Sequence, residues 1–124
     1  MKTKITVVII LAVVVLVFLF LIFGGKGKAN SAALDAFAQC VAGKGLVMYG
    51  AYWCSHCQNE KKAFGDSFKH ISYVECADNP KQCTDKGVTG FPTWIFPDGK
   101  KLEGEQGIVG LAKATGCVLE NASR

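Results

Sequence analysis

The chain has 124 residues, half of them hydrophobic, which is enough for one modest core beyond its apolar leader and too few for two. Its formal charge of +4 traces to Lys2, Lys4, Lys26 and Lys28, and from Ala29 onward basic and acidic side chains balance. That distribution argues against a nucleic-acid partner and assigns the basic character to lipid headgroups at the ends of an apolar segment.

The segment itself is Ile5 to Phe23, in which Thr6 is the one polar side chain. As a helix it spans about 28 Å, close to the hydrocarbon thickness of a bilayer. Signal-peptide cores are shorter and end in a small-residue cleavage site. Residues 1–23 are therefore expected to be a retained membrane anchor, with cleavage near Ala29 to Ala32 as the alternative. Gly24-Gly25-Lys26-Gly27-Lys28 suggests a flexible linker over residues 24–30, leaving 31–124 as the folded domain. Six cysteines, all beyond the anchor, suit an oxidising space. The expected topology puts the N-terminus in the cytoplasm and the C-terminal domain outside it, in the periplasm or at the cell exterior.

Beyond the linker, Leu34, Phe37, Ala38 and Val41 recur at helical spacing, so Ser31 to Ala42 reads as an amphipathic helix ended by Gly43. Leu46 to Tyr49 is a short apolar run with the character of a buried strand. Gln58 to Phe68 reads as a helix with Ala63, Phe64 and Phe68 inward, and Ile71 to Glu75 alternates as a second strand. Asp78-Asn79-Pro80 opens a short helix through Lys86. Thr93 to Phe96 is a third strand, and Pro97-Asp98-Gly99-Lys100 turns the chain into a fourth, Lys101 to Glu105. Ile108, Leu111, Ala112, Thr115 and Val118 mark a closing helix. The order after the anchor, α-β-α-β-α-β-β-α, is an α/β arrangement of a mixed central sheet flanked by helices: the thioredoxin fold, here preceded by one transmembrane helix.

Trp53-Cys54-Ser55-His56-Cys57 falls where the first strand passes into a helix. A thiol at a helix N-terminus meets unpaired N–H groups and the positive end of the helix dipole, which favour its thiolate. Cys54 is expected to exchange with a partner's sulfur and Cys57 to resolve the mixed disulfide, with His56 tuning the thiolate. A purely structural bridge is one alternative. A zinc site recruiting Cys76 and Cys83 is another, although the spacing gives no second tight pair. Covalent haem is excluded because Gln58, not His, follows Cys57. His70 lacks any such context and reads as a surface residue.

Phe91-Pro92-Thr93 is the second signal: a proline before a strand and after Gly90 suits a cis peptide facing the C-x-x-C, with Trp53, Phe91 and Pro92 as the substrate platform. Of the other cysteines, Cys76 and Cys83 flank one short loop, whereas Cys40 and Cys117 lie in the first and last helices of the domain. The expected pairs are Cys76–Cys83 and Cys40–Cys117, with a second redox relay as the competing idea. No cofactor or metal is expected beyond the redox-active Cys54–Cys57 pair.

Met48-Tyr49-Gly50-Ala51-Tyr52-Trp53-Cys54-Ser55-His56-Cys57-Gln58, Tyr73-Val74-Glu75-Cys76, Phe91-Pro92-Thr93-Trp94 and Thr115-Gly116-Cys117 together resemble the thioredoxin-like domain fused to bacterial homologues of vitamin K epoxide reductase. The likeness covers Leu34 to Cys117. It implies that Cys54 and Cys57 are the active pair, that Pro92 is the cis proline, and that a quinone-linked membrane bundle reoxidises the domain. With one apolar span and no such bundle, this chain is expected to need a separate quinone reductase of that kind as its partner. Ser55 stands where the branch often carries Pro. Met48 occupies the place of the buried acid of ordinary thioredoxins, which argues against thioredoxin-like reduction.

The expected function is oxidation of cysteines in exported proteins by a membrane-anchored thiol–disulfide oxidoreductase. A tethered reductase or isomerase fed with electrons across the membrane is the alternative within the same chemistry. A disulfide-stabilised binding module with an inert C-x-x-C is the alternative outside it.

Overall fold

A computed structural model describes residues 1–23 and 26–120 of the chain. The chain divides into two units, Met1–Ser31 and Ala32–Arg124.

In the first unit, α1 runs from Lys2 to Phe23. Its apolar side chains are exposed all round, so no face seeks a protein core. Lys2–Ile22 is long and apolar enough to cross a membrane and fits a single transmembrane span. Thr6, the polar interruption, donates its hydroxyl to the Lys2 carbonyl one turn back (2.9 Å) and so stays satisfied within the helix.

The second unit contains a four-stranded mixed sheet. Helix α2 spans Lys26–Gly43, followed by β1 (Val47–Gly50), α3 (Ser55–Phe64), a 3₁₀ turn (Gly65–His70), β2 (Ser72–Glu75), α4 (Pro80–Asp85), β3 (Thr93–Ile95), β4 (Lys101–Glu103) and α5 (Gly107–Thr115). The sheet order is β2-β1-β3-β4. Strand β1 pairs parallel with β2 (Met48 opposite Tyr73) and antiparallel with β3 (Met48 opposite Trp94). Strand β3 pairs antiparallel with β4. The parallel pair needs a long crossover, which α3 supplies, whereas the antiparallel β3–β4 pair closes through a tight turn at Asp98-Gly99.

Both faces of the sheet are covered, which is why β1 reads as a continuous apolar run rather than an alternating one. On one face Met48 and Trp94 pack with Phe37, Ala38 and Val41 of α2, Phe64 of α3 and Leu111 of α5. On the other, Tyr49 and Ile95 pack with Cys76 and Cys83. Two disulfides staple this modest core: Cys40–Cys117 joins α2 to the segment after α5, and Cys76–Cys83 closes the loop into α4.

The structure departs from the sequence reading in several places. The helix expected over Gln58 to Phe68 starts at Ser55 and gives way to a 3₁₀ turn at Gly65, where φ is +53°, and Ala63 is exposed on it. The closing helix ends at Thr115, before Gly116 at φ +73°, and leaves Val118 exposed. The linker assigned to residues 24–30 is helical from Lys26 onward, while residues 24 and 25 lie outside the described residues. Lys, Ala and Asn tolerate helix, and one glycine at position 27 is too weak a breaker to set the boundary. Strand β4 ends at Glu103 rather than Glu105, because Gly104 takes φ +84° and gives its N–H to the Pro92 carbonyl (2.8 Å). His70 is half-buried, with Nε2 3.4 Å from Asp35 Oδ1. The same carboxylate accepts the hydroxyl of buried Ser67 (2.6 Å), which, helped by Lys69 and His70, holds Asp35 below the usual carboxylate range.

Sequence separations of 77 and 7 residues make the two disulfides unequal constraints on the unfolded chain. Removing Cys40–Cys117 by paired Ala substitution is expected to lower unfolding free energy by about 4.5 kcal/mol, and removing Cys76–Cys83 by about 2.5 kcal/mol. Guanidinium unfolding of the two variants checks the order; a larger loss from the short loop contradicts it.

Candidate active site

The site grows from the carboxyl end of β1. Gly50 and Ala51 are buried, and Tyr52-Trp53 turns outward, with the Cys54 N–H returning to the Ala51 carbonyl (3.1 Å). Cys54 is the N-cap of α3, with extended backbone (φ −79°, ψ 119°), and its sulfur accepts the N–H of Cys57 at 3.4 Å. A sulfur here replaces the oxygen of an ordinary N-cap, so the first turn of α3 directs a backbone donor at the nucleophile position. Gln58 fixes the turn from the other side by donating Nε2 to the Tyr52 carbonyl (2.8 Å).

The two cysteines are free thiols in unequal surroundings: Cys54 keeps 8% of its surface exposed and Cys57 none. Burial, aided by the hydrogen bond with Cys54, pushes the Cys57 thiol up to about 12. Cys57 fits because β1 has no side chain at Gly50. A Cβ there would stand 2.9 Å from the Cys57 sulfur and 3.1 Å from the Tyr73 ring.

Opposite the pair lies the Phe91–Pro92 cis peptide. The Cys54 thiol faces the Phe91 carbonyl at 3.5 Å, and Pro92 is fully buried. Thr93, also buried, donates its hydroxyl to the Gly90 carbonyl (2.8 Å), closing the turn. The exposed Trp53 ring meets Phe91 edge-on, with centroids 5.8 Å apart. Trp53, Cys54, Phe91 and Pro92 thus adjoin one another across two segments remote in sequence.

His56 is exposed, and its Nδ1 lies 2.9 Å from Glu105 Oε2. Asn59 donates to the same oxygen at 3.3 Å. The His56 contact, then the Asn59 bond, lowers the Glu105 carboxyl below its usual range. The loop carrying Glu105 is held from below by Glu60 of α3, which is fully buried and accepts the N–H groups of Gln106 (2.7 Å) and Gly107 (2.8 Å). Burial raises the Glu60 carboxyl, and these two donors oppose the rise.

Glu60 and Glu105 have no place in the sequence reading of the site, and Gly50, Tyr73 and Glu75 stand in its motifs with no role assigned. Glu60 was the most accessible to it: Cys57, Glu60 and Phe64 share one face of α3, and all three are buried. Among the described residues, no group of three or more His, Cys, Asp or Glu is arranged to hold a metal ion. Cys76 and Cys83 are bonded to each other, so the zinc arrangement does not form.

The family model described as Thioredoxin matches residues 28–115, well over half of the chain. The chain belongs to the thioredoxin family. The thiol-disulfide oxidoreductase LTO1 of Arabidopsis thaliana is 41% identical over 97 residues, covering 71% of this chain and 26% of that protein. The thioredoxin domain-containing protein 5 homolog of Drosophila melanogaster is 38% identical over 88 residues, covering 62% of this chain and 21% of its own length. The protein disulfide isomerase-like 2-2 of Oryza sativa subsp. japonica is 38% identical over 82 residues, covering 55% of this chain and 22% of that protein. The chain therefore spans about a quarter of the length of the curated relatives it matches. A solved Fasciola hepatica thioredoxin is 24% identical with a TM-score of 0.37, over 56% of this chain and 72% of that one.

This thioredoxin-family chain places the two sulfurs of its C-x-x-C together at the start of α3, the parts that thiol–disulfide exchange requires.

Two outcomes test the geometry. Cys57 should remain protonated throughout neutral pH, so iodoacetamide at pH 7 should modify the reduced protein at Cys54 alone. Cys57 modification should rise only as pH approaches about 12. Peptide mapping by mass spectrometry reads this, and equal labelling at pH 7 contradicts it. Glu60→Ala strips two half-buried N–H groups of their acceptor and should cost about 2–4 kcal/mol in chemical unfolding; a loss below about 0.5 kcal/mol, the scale of an ordinary surface substitution, contradicts the clamp.

Proposed function

We propose that the protein is a membrane-tethered, extracytoplasmic oxidase of protein thiols, recharged by a separate membrane quinone reductase resembling vitamin K epoxide reductase. The observation that carries this reading is the coexistence, in one small domain, of two closed disulfides and a third pair of cysteines, Cys54 and Cys57, that is free. Structural disulfides persist where the surroundings oxidise, and a bilayer-length apolar helix precedes the domain that holds them. The N-terminus is cytoplasmic and the domain lies outside the membrane in this reading.

The chemistry runs from the disulfide form of Cys54–Cys57. An exported protein docks its extended chain against Phe91 and Pro92, beside Trp53, and its thiolate attacks the Cys54 sulfur. The Cys54–Cys57 bond breaks, and Cys57 leaves with the electron pair and takes up a proton. A second substrate thiolate attacks the substrate's own sulfur in the mixed disulfide and releases Cys54. The substrate gains a disulfide, and the domain holds two electrons. The partner removes them by the same exchange and passes them to quinone. In this reading His56 acts on the pair from the first turn of α3, where its Nδ1 also meets Glu105 Oε2 at 2.9 Å. Met48 puts no carboxylate beneath the pair, which disfavours the reductive direction.

The disulfide isomerase-like relatives support a second reading, a tethered reductase or isomerase supplied with electrons across the membrane. Trapping distinguishes the two. Cys57→Ala leaves Cys54 unable to be resolved, so mixed disulfides accumulate. The oxidase reading expects exported proteins and a quinone-linked membrane protein among the covalent adducts, identified by mass spectrometry after thiol blocking. Capture of an electron-importing membrane protein instead contradicts it.

A further inference from the structure

Each exchange cycle obliges Cys57 to change protonation state, yet its sulfur is shut away from water. Met48, buried in the same core cluster, offers no titratable group. The space above Gly50 leads elsewhere. The point where a Gly50 Cβ would stand is 2.9 Å from Cys57 Sγ and 3.3 Å from the Tyr73 hydroxyl, so sulfur and phenol line the same small gap. That hydroxyl donates to Glu75 Oε2 at 2.7 Å. Glu75 is half-buried, at the end of β2, and its other oxygen accepts the N–H groups of Tyr52 (3.1 Å) and Ala77 (3.2 Å).

We propose that the Tyr73 hydroxyl and the Glu75 carboxylate are the proton path of Cys57, linking the buried sulfur to solvent at the end of β2. When a thiolate attacks Cys54 and the Cys54–Cys57 bond breaks, Cys57 leaves as a thiolate. Glu75 first takes a proton from water and passes it to Tyr73 Oη as Tyr73 gives its own proton to the Cys57 thiolate, which returns Glu75 to its charged form. When Cys57 attacks a mixed disulfide, the same proton travels outward and the partner's thiolate is expelled from Cys54. Electrons move only between sulfurs in both directions.

The groups facing this path are consistent with the role. Lys61 of α3 holds its ammonium 4.0 Å from the Tyr73 ring centroid, the Cys54 and Cys57 sulfurs lie on the α3 side, and Glu75 is neighbouring acid on β2. Burial raises the Tyr73 phenol, and the bond to Glu75 adds to this, so Tyr73 passes protons without resting ionised. Burial pushes the Glu75 carboxyl up, but the bonds from Tyr73, Ala77 and Tyr52 outweigh it and hold Glu75 below its ordinary value. The acceptor at the solvent end is therefore charged at neutral pH.

The inference rests on thiol–disulfide exchange at Cys54–Cys57 and is independent of the direction of electron flow. Its test is stopped-flow reduction of the oxidised full-length protein in detergent by dithiothreitol, followed by tryptophan fluorescence across pH and imidazole buffer concentration. The parent should react at a rate insensitive to buffer. Tyr73→Phe, which removes one hydroxyl, and Glu75→Gln should each slow the step by roughly ten- to a hundredfold, and added imidazole should restore the rate by serving as an external proton donor. Parental rates in the folded variants, or slowing that imidazole leaves unchanged, overturn the proposal. Failure of the parent itself to react would instead count against the oxidoreductase reading.

Discussion

The close approach of the Cys57 sulfur to the bare Cα of Gly50 is the contact on which the site depends. It lets the first turn of α3 settle against the end of β1, so that one thiol is fully enclosed while the other caps the helix and keeps 8% of its surface exposed. The two sulfurs are chemically alike in sequence and are made different by where they are packed. Enclosure keeps Cys57 protonated and out of reach of partners, whereas Cys54 receives a backbone N–H and faces the Phe91 carbonyl. The difference in burial gives two like thiols unequal chemistry, which is what the proposed division into an entry sulfur and a resolving sulfur requires.

Three carboxylates surround the pair and tie two loops to it. Glu60, enclosed in the core, fixes the chain before α5 by two backbone hydrogen bonds. That loop in turn presents Glu105 to His56. Glu75 holds the Tyr52 backbone just ahead of Cys54. Acid groups thus frame the site from its edges, while the strand position beneath it carries the apolar Met48. The same helix that bears the cysteines also bears Glu60 and Lys61, so α3 is both the reactive element and the brace of its surroundings.

Local chemistry made much of this legible in advance. The C-x-x-C, the Gly-Phe-Pro-Thr turn and the alternation of apolar segments each depend on a few neighbouring residues, and the order of elements followed from them. What stayed hidden depends on contacts between distant segments. Glu60 stands beside Lys61 and Lys62 and looks like a solvated helix face; only the docking of the 104–107 loop encloses it. Gly50 reads as the boundary of a strand, because its need for an empty side is set by a sulfur seven residues later. Tyr73 and Glu75 fit an ordinary alternating strand, and the parallel register of β2 beside β1 is what brings them to the site. The start of α2 was misread because glycine and lysine near a membrane flank suggest a hinge, although lysine and alanine also sustain helix.

The central claim is that this arrangement makes the Cys54–Cys57 disulfide an oxidant of protein thiols. Its most direct measure is the reduction potential of the pair, read by mass spectrometry after equilibration of the full chain in glutathione buffers and acid quenching. The account predicts a value between about −120 and −200 mV, in the range of oxidising and isomerising domains. A value near about −270 mV, that of a reducing thioredoxin, would contradict it.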